Sequence, residues 1–130
     1  MSGSALRALI AAALLAVASG AEAHSTLVRA TPAARSTVKA APDRIQLWFS
    51  ERLEPAYSSA SVWLADQRVD RGDAAVSAQD KKLLTVALPA LAPGKYVVRY
   101  RVLSVDGHVV EGTVPFTVAS GPAGSGAAAR

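Results

Sequence analysis

Two long alternating runs near the C-terminus constrain the fold more than any other feature of the chain. Residues 95–103 and 109–118 are separated by five residues that contain Asp106-Gly107. In the first run Tyr96, Val98, Tyr100 and Val102 alternate with Val97, Arg99, Arg101 and Leu103. In the second, Val114, Phe116 and Val118 share one face. Successive side chains of a strand point to opposite faces, so this period of two predicts a hairpin with one face in a core. The face carrying the two arginines is expected at solvent. Asp-Gly is a favoured hairpin-turn pair. Pro115 has no N–H to give a ladder and is expected at an edge or a bulge.

The same period recurs upstream. Ile45, Leu47 and Phe49 alternate with Gln46, Trp48 and Ser50, which predicts a strand over 44–50. Residues 25–30 read as a short first strand ended by Thr31-Pro32. Residues 33–43 read as a loop, and Glu54-Pro55 turns the chain. Further strands are expected at 60–65 and 82–88, with short, weak ones at Val69 and 74–77. Arg71-Gly72-Asp73 matches an adhesion tripeptide, but three common residues carry little information, and it is read as a turn. Pro93-Gly94 marks another turn. No segment holds a helical period. About seven short strands with frequent turn signals predict an all-β, immunoglobulin-like sandwich.

The first 23 residues carry the marks of a secretory signal. Arg7 gives the basic start, residues 8–19 the apolar run, and Ala21 and Ala23 the small residues before a cut. That run is too short to span a bilayer comfortably. The expected organisation is therefore a signal at 1–23, a sandwich at 24–119 and a flexible tail at 120–130 rich in Gly and Ala. A signal directs export of the mature chain, which is expected without stable membrane insertion. There is no cysteine, which excludes disulfides, a thiolate metal site and a cysteine nucleophile. Net charge is +4, but the basic residues are scattered and not interleaved with aromatics, so nucleic acid is not the expected partner.

Cleavage after Ala23 would make His24 the first residue. Its α-amine and Nδ1 could then close a chelate ring on one metal ion. Downstream, Ser104-Val105-Asp106-Gly107-His108 offers a carboxylate and an imidazole two residues apart. Three nitrogens and one oxygen suit tetragonal Cu(II). Each residue also has a plainer reading: Asp106 as a turn former, His108 as a partly exposed strand histidine. The economy of two histidines, one at the cut and one beside an aspartate, favours the metal. Asp106 either ligates directly or holds an imidazole N–H. Glu51, at the end of a strand, either supplies a further oxygen or pairs with Arg52 or Arg101.

These residues resemble the CopC family of small periplasmic copper-resistance proteins. The likeness runs through His24 and Leu27, Thr31-Pro32-Ala33, Ala41-Pro42, Leu47-Trp48-Phe49-Ser50-Glu51, the 104–108 segment, and Gly112 before Phe116-Thr117-Val118. It implies a Greek-key sandwich that binds one Cu(II) through the amine and Nδ1 of His24, the carboxylate of Asp106 and the imidazole of His108. Glu51 matches a family carboxylate of variable role. Some members also hold Cu(I) in a methionine-rich loop. Here the only methionine is Met1, so a thioether Cu(I) site is not expected. Some members work beside a multi-pass membrane protein, CopD, and a separate partner of that kind is a possible one for this chain. The expected role is sequestering or carrying copper without catalysis. The rivals are an N-terminal-histidine copper oxidase or monooxygenase, and an immunoglobulin-like interaction module without metal.

Overall fold

The computed structural model describes residues 26–120. Nine strands form two sheets. They are β1 (Leu27–Thr31), β2 (Ser36–Val38), β3 (Arg44–Phe49), β4 (Ser59–Leu64), β5 (Gln67–Arg68), β6 (Ala75–Val76), β7 (Leu83–Ala87), β8 (Gly94–Leu103) and β9 (Val109–Val118). One sheet has the order β1-β3-β7-β6 and the other β2-β9-β8-β4-β5. Seven strands have three residues or more, and β5 and β6 have two each. The only helical element among the described residues is one 3-10 turn, Pro55–Tyr57. The immunoglobulin-like sandwich expected from the alternation is the fold.

Each inner face is the apolar half of an alternating strand. Ile45, Leu47 and Phe49 of β3 and Leu84 and Val86 of β7 meet Ala60 and Val62 of β4, Val98 and Val102 of β8, and Val114, Phe116 and Val118 of β9. Tyr96 stacks on Phe116 with ring centroids 5.4 Å apart, and Phe49 meets Tyr100 edge-on at 5.3 Å. Both are favourable aromatic geometries. The outward face of β8 carries Arg99 and Arg101, exposed as expected. Trp48 also points outward and is covered by the Arg29 guanidinium, 4.3 Å from the ring centroid.

Several expectations change in detail. Within the predicted 33–43 loop, Ser36–Val38 forms β2, which pairs parallel with β9. Val69 lies just past β5, and its N–H donates to Val62 at 2.8 Å. Ser25, placed in the first strand by its sequence, lies outside the described residues. Pro115 is in neither an edge strand nor a bulge. It pairs with Val97 inside β9, which is flanked by β8 and β2. Its carbonyl accepts the Arg35 N–H at 2.7 Å. The imide nitrogen shares that side, where β2 has not yet begun, so no ladder donor is lost.

Arg71-Gly72-Asp73 is a structural turn. Gly72 takes φ 77, where a side chain would be strained. The Asp73 carboxylate accepts the Ala87 N–H at 2.8 Å. Asp70, just before it, continues a ladder with its side chain. It accepts the Val62 N–H at 2.9 Å, Arg68 Nε at 2.8 Å and the Gly72 N–H at 3.0 Å.

Candidate metal centre

The β8–β9 hairpin ends in the 104–108 loop, closed by two backbone bonds. Gly107 N–H donates to the Ser104 carbonyl and Ser104 N–H to the His108 carbonyl, both at 2.9 Å. Gly107 takes φ 92, a conformation that favours glycine and explains Asp-Gly at the tip. This turn brings residues 106 and 108 together. Asp106 Oδ1 lies 3.3 Å from His108 Nδ1 and accepts the His108 N–H at 3.4 Å. The Ser104 hydroxyl donates to the same oxygen. Ser104 itself is buried, so a fixed group orients an exposed one.

The Ser104 hydroxyl holds the Asp106 carboxyl below its ordinary value. Slight desolvation opposes it, and the His108 ring and amide add to the lowering. An ionised carboxylate beside an imidazole is a donor pair for a borderline cation such as Cu(II).

Residues 50–53 link this loop to the start of the described chain. Ser50 N–H donates to the Thr26 carbonyl at 2.8 Å, and Thr26 N–H donates to Ser50 Oγ at 2.9 Å. Three residues on, Leu53 bridges to Ser104, and Val105 N–H donates to the Arg52 carbonyl at 2.9 Å. The chain thus enters the sandwich next to a segment that also holds the Asp106 loop. Ser50 is the residue that sequence reasoning passed over. Its signal was a hydroxyl at a strand end, whose partner 24 residues away is invisible without the fold.

Of the four sequence-predicted residues, the structure brings Asp106 and His108 together. His24 lies outside the described residues. Glu51 sits half-buried just beyond β3. Arg101 pairs with Glu111 at 2.7 Å, so the alternative in which Glu51 pairs with Arg101 is not what forms. Among the described residues, no three histidine or carboxylate side chains are grouped closely enough to hold a metal. Glu51 therefore does not join the Asp106–His108 pair there.

The family model of the CopC domain matches residues 27–119. The chain belongs to the CopC family. It is 40% identical to Protein YobA of Escherichia coli K12 over 98 residues, covering 74% of this chain and 79% of that one. Against Copper resistance protein C of Xanthomonas campestris pv. juglandis the identity is 36% over 117 residues, with 85% and 91% covered. The crystal structure of CopC from Methylosinus trichosporium OB3b superposes with a TM-score of 0.66. Its identity is 44%, over 74% of this chain and 94% of that one. No helix among the described residues is long and apolar enough to cross a membrane.

Proposed function

We propose that this CopC-family chain is a periplasmic, non-catalytic carrier of one Cu(II) ion. The ion is held by the amine and Nδ1 of His24, by Asp106 and by His108, with Glu51 a further candidate oxygen donor. Membership of a family that includes copper-resistance proteins supports copper as the cargo. One geometric observation carries the site. Residues 50–53 are bonded to Thr26 on one side and to the 104–106 loop on the other. Two residues of extended chain span at most about 7 Å. A chain cut before His24 therefore delivers its new amine close to the end of the sandwich that carries Asp106 and His108. The donor set is hard enough for Cu(II) and lacks the thioethers that favour Cu(I). Filling the equatorial plane with four protein donors leaves no open equatorial position for oxygen or substrate, which favours carriage over catalysis.

The test combines N-terminal mass analysis of the exported protein with Cu(II) titration. The expected result is a chain starting at His24 that takes up one equivalent. A variant with one alanine placed before His24 should lose most of its affinity, because the amine moves away from the ring. Equal affinity in the extended protein removes the terminal chelate. Turnover with ascorbate and oxygen or peroxide would instead favour an oxidase.

A further inference from the structure

The outer face of the five-stranded sheet carries a trough whose lining includes neither Asp106 nor His108. It measures about 550 Å³ and is lined by Ser59, Ser61, Arg68, Arg99, Arg101 and Thr113 among others. Register explains its shape. Ser61 of β4, Arg99 of β8 and Thr113 of β9 lie side by side across the sheet, and Ser59, Arg101 and Glu111 form the adjoining row. Short hydroxyl side chains make the floor. Trp63, two residues along β4 from Ser61, donates its indole N–H to Ser61 Oγ at 2.7 Å.

Three guanidinium groups face this trough, and they are not equivalent. Arg68 is neutralised by Asp70 at 2.8 Å and Arg101 by Glu111 at 2.7 Å. Arg99 meets no carboxylate among the described residues. It lies over the Trp63 ring instead, 4.7 Å from the centroid. Stacking holds the plane of the guanidinium and leaves its edge, where the N–H donors lie, for a planar anion. A carboxylate fits that fork in two parallel hydrogen bonds.

We infer that this trough is a docking site for an acidic segment of a partner protein, anchored by a carboxylate on Arg99. Charge selects the occupant. Residues 121–130 of this chain contain no Asp or Glu, and residues 1–25 contain only Glu22. A second copy carries the same net charge of +4 and is repelled. None of the large exposed apolar side chains Val28, Tyr57, Val105 and Val109 lines the trough, although Val109 alternates onto the same face of β9 as Glu111 and Thr113, so the trough itself offers a lipid surface little apolar area to insert. The hydroxyls of Ser59, Ser61 and Thr113 match the amides of an extended peptide. This inference does not depend on the copper reading.

The probe is an end-blocked octapeptide of alternating Glu and Ser, titrated into the isotope-labelled protein, with a Gln-for-Glu peptide as control. The Glu peptide should shift the amides of residues 59–63, 97–101 and 111–113 and the Trp63 indole, and the Gln peptide should not. Arg99→Gln should weaken binding by roughly tenfold or more, the loss expected for one charge-assisted pair. Thr113→Asp, which sets a competing carboxylate beside Arg99, should do the same. Both positions are exposed, so the fold should be retained. Cu(II) titration of Arg99→Gln should be unchanged, which separates this site from the metal centre. Equal peptide affinity in both variants, shifts confined to another face, or equal competition by inorganic phosphate would each overturn the inference. So would stronger binding to phosphatidylglycerol vesicles than to the peptide.

Discussion

Asp70 illustrates how a single side chain can stand in for a missing strand. β5 ends at Arg68, and the next ladder position opposite Val62 is filled by a carboxylate. Val62 is fully buried, so its N–H has no water to turn to. Asp70→Ala should therefore cost about 1–3 kcal/mol, the usual consequence of leaving a buried donor unmet, read as a lower urea midpoint. The same residue gives a pH dependence. Burial pushes its carboxyl up, but the Arg68 guanidinium and the amides of Val62 and Gly72 outweigh that and hold it below its ordinary value. A carboxyl lowered by folding stabilises the native state above its unfolded pKa, and that contribution fades as pH falls through the folded value. The wild type should thus lose stability below about pH 4, and Asp70→Asn should show a shallower acid limb. At the metal loop Ser104 has the corresponding role for Asp106. On the proposed ligand set, Ser104→Ala should weaken Cu(II) binding with little change in the copper spectrum, because it frees the Asp106 carboxylate and leaves every proposed ligand in place. A spectrum with altered nitrogen content after that change would mean the serine does more than orient.

The β8–β9 hairpin is the element that positions both the core and the candidate site. Gly112 is cross-strand from Tyr100, whose ring lies over it. A Cβ at Gly112 would come 2.6 Å from Tyr100 Cζ and 3.0 Å from Cε2. The ring cannot swing away freely, since it packs edge-on against Phe49. Gly112→Ala should cost about 1–3 kcal/mol through overpacking, and much less in a Tyr100→Ala background. Additive costs in calorimetry would show that the two positions do not compete for space. This hairpin was legible because its strands alternate over ten residues each and its turn uses Asp-Gly. β2 was not, because Ser36–Val38 is too short to show a period and pairs parallel with a partner 80 residues later in the chain. Pro115 misled for a related reason: its tolerance depends on where β2 begins, not on the local sequence. The candidate site divides the same way. Asp106 and His108 could be read as an i, i+2 pair, whereas the Thr26–Ser50 anchor joins distant positions and only the fold reveals it.

For the whole molecule, the sandwich folds around its own core, and the proposed metal centre uses the loop at the end where the described chain begins. Copper should therefore be a ligand of a preformed domain rather than its organising staple, in contrast to small metal-dependent folds. Two consequences follow together. Without copper the protein should melt in one cooperative step, since the core of β3, β4, β7, β8 and β9 is continuous without any metal. With copper it should melt higher, because a ligand bound only by the native state stabilises by about 2.7 kcal/mol at a hundredfold excess over Kd. For a domain of this size each kcal/mol corresponds to roughly 4–8 °C, so a shift of about ten degrees or more is expected. The alanine-extended protein and His108→Ala should both lose most of that shift while keeping the copper-free midpoint, since neither change touches the core. Strong chelator should return the wild type to the same midpoint. A copper-free chain that fails to fold would contradict the preformed sandwich, and a full shift in the extended protein would place the metal somewhere other than the terminal chelate.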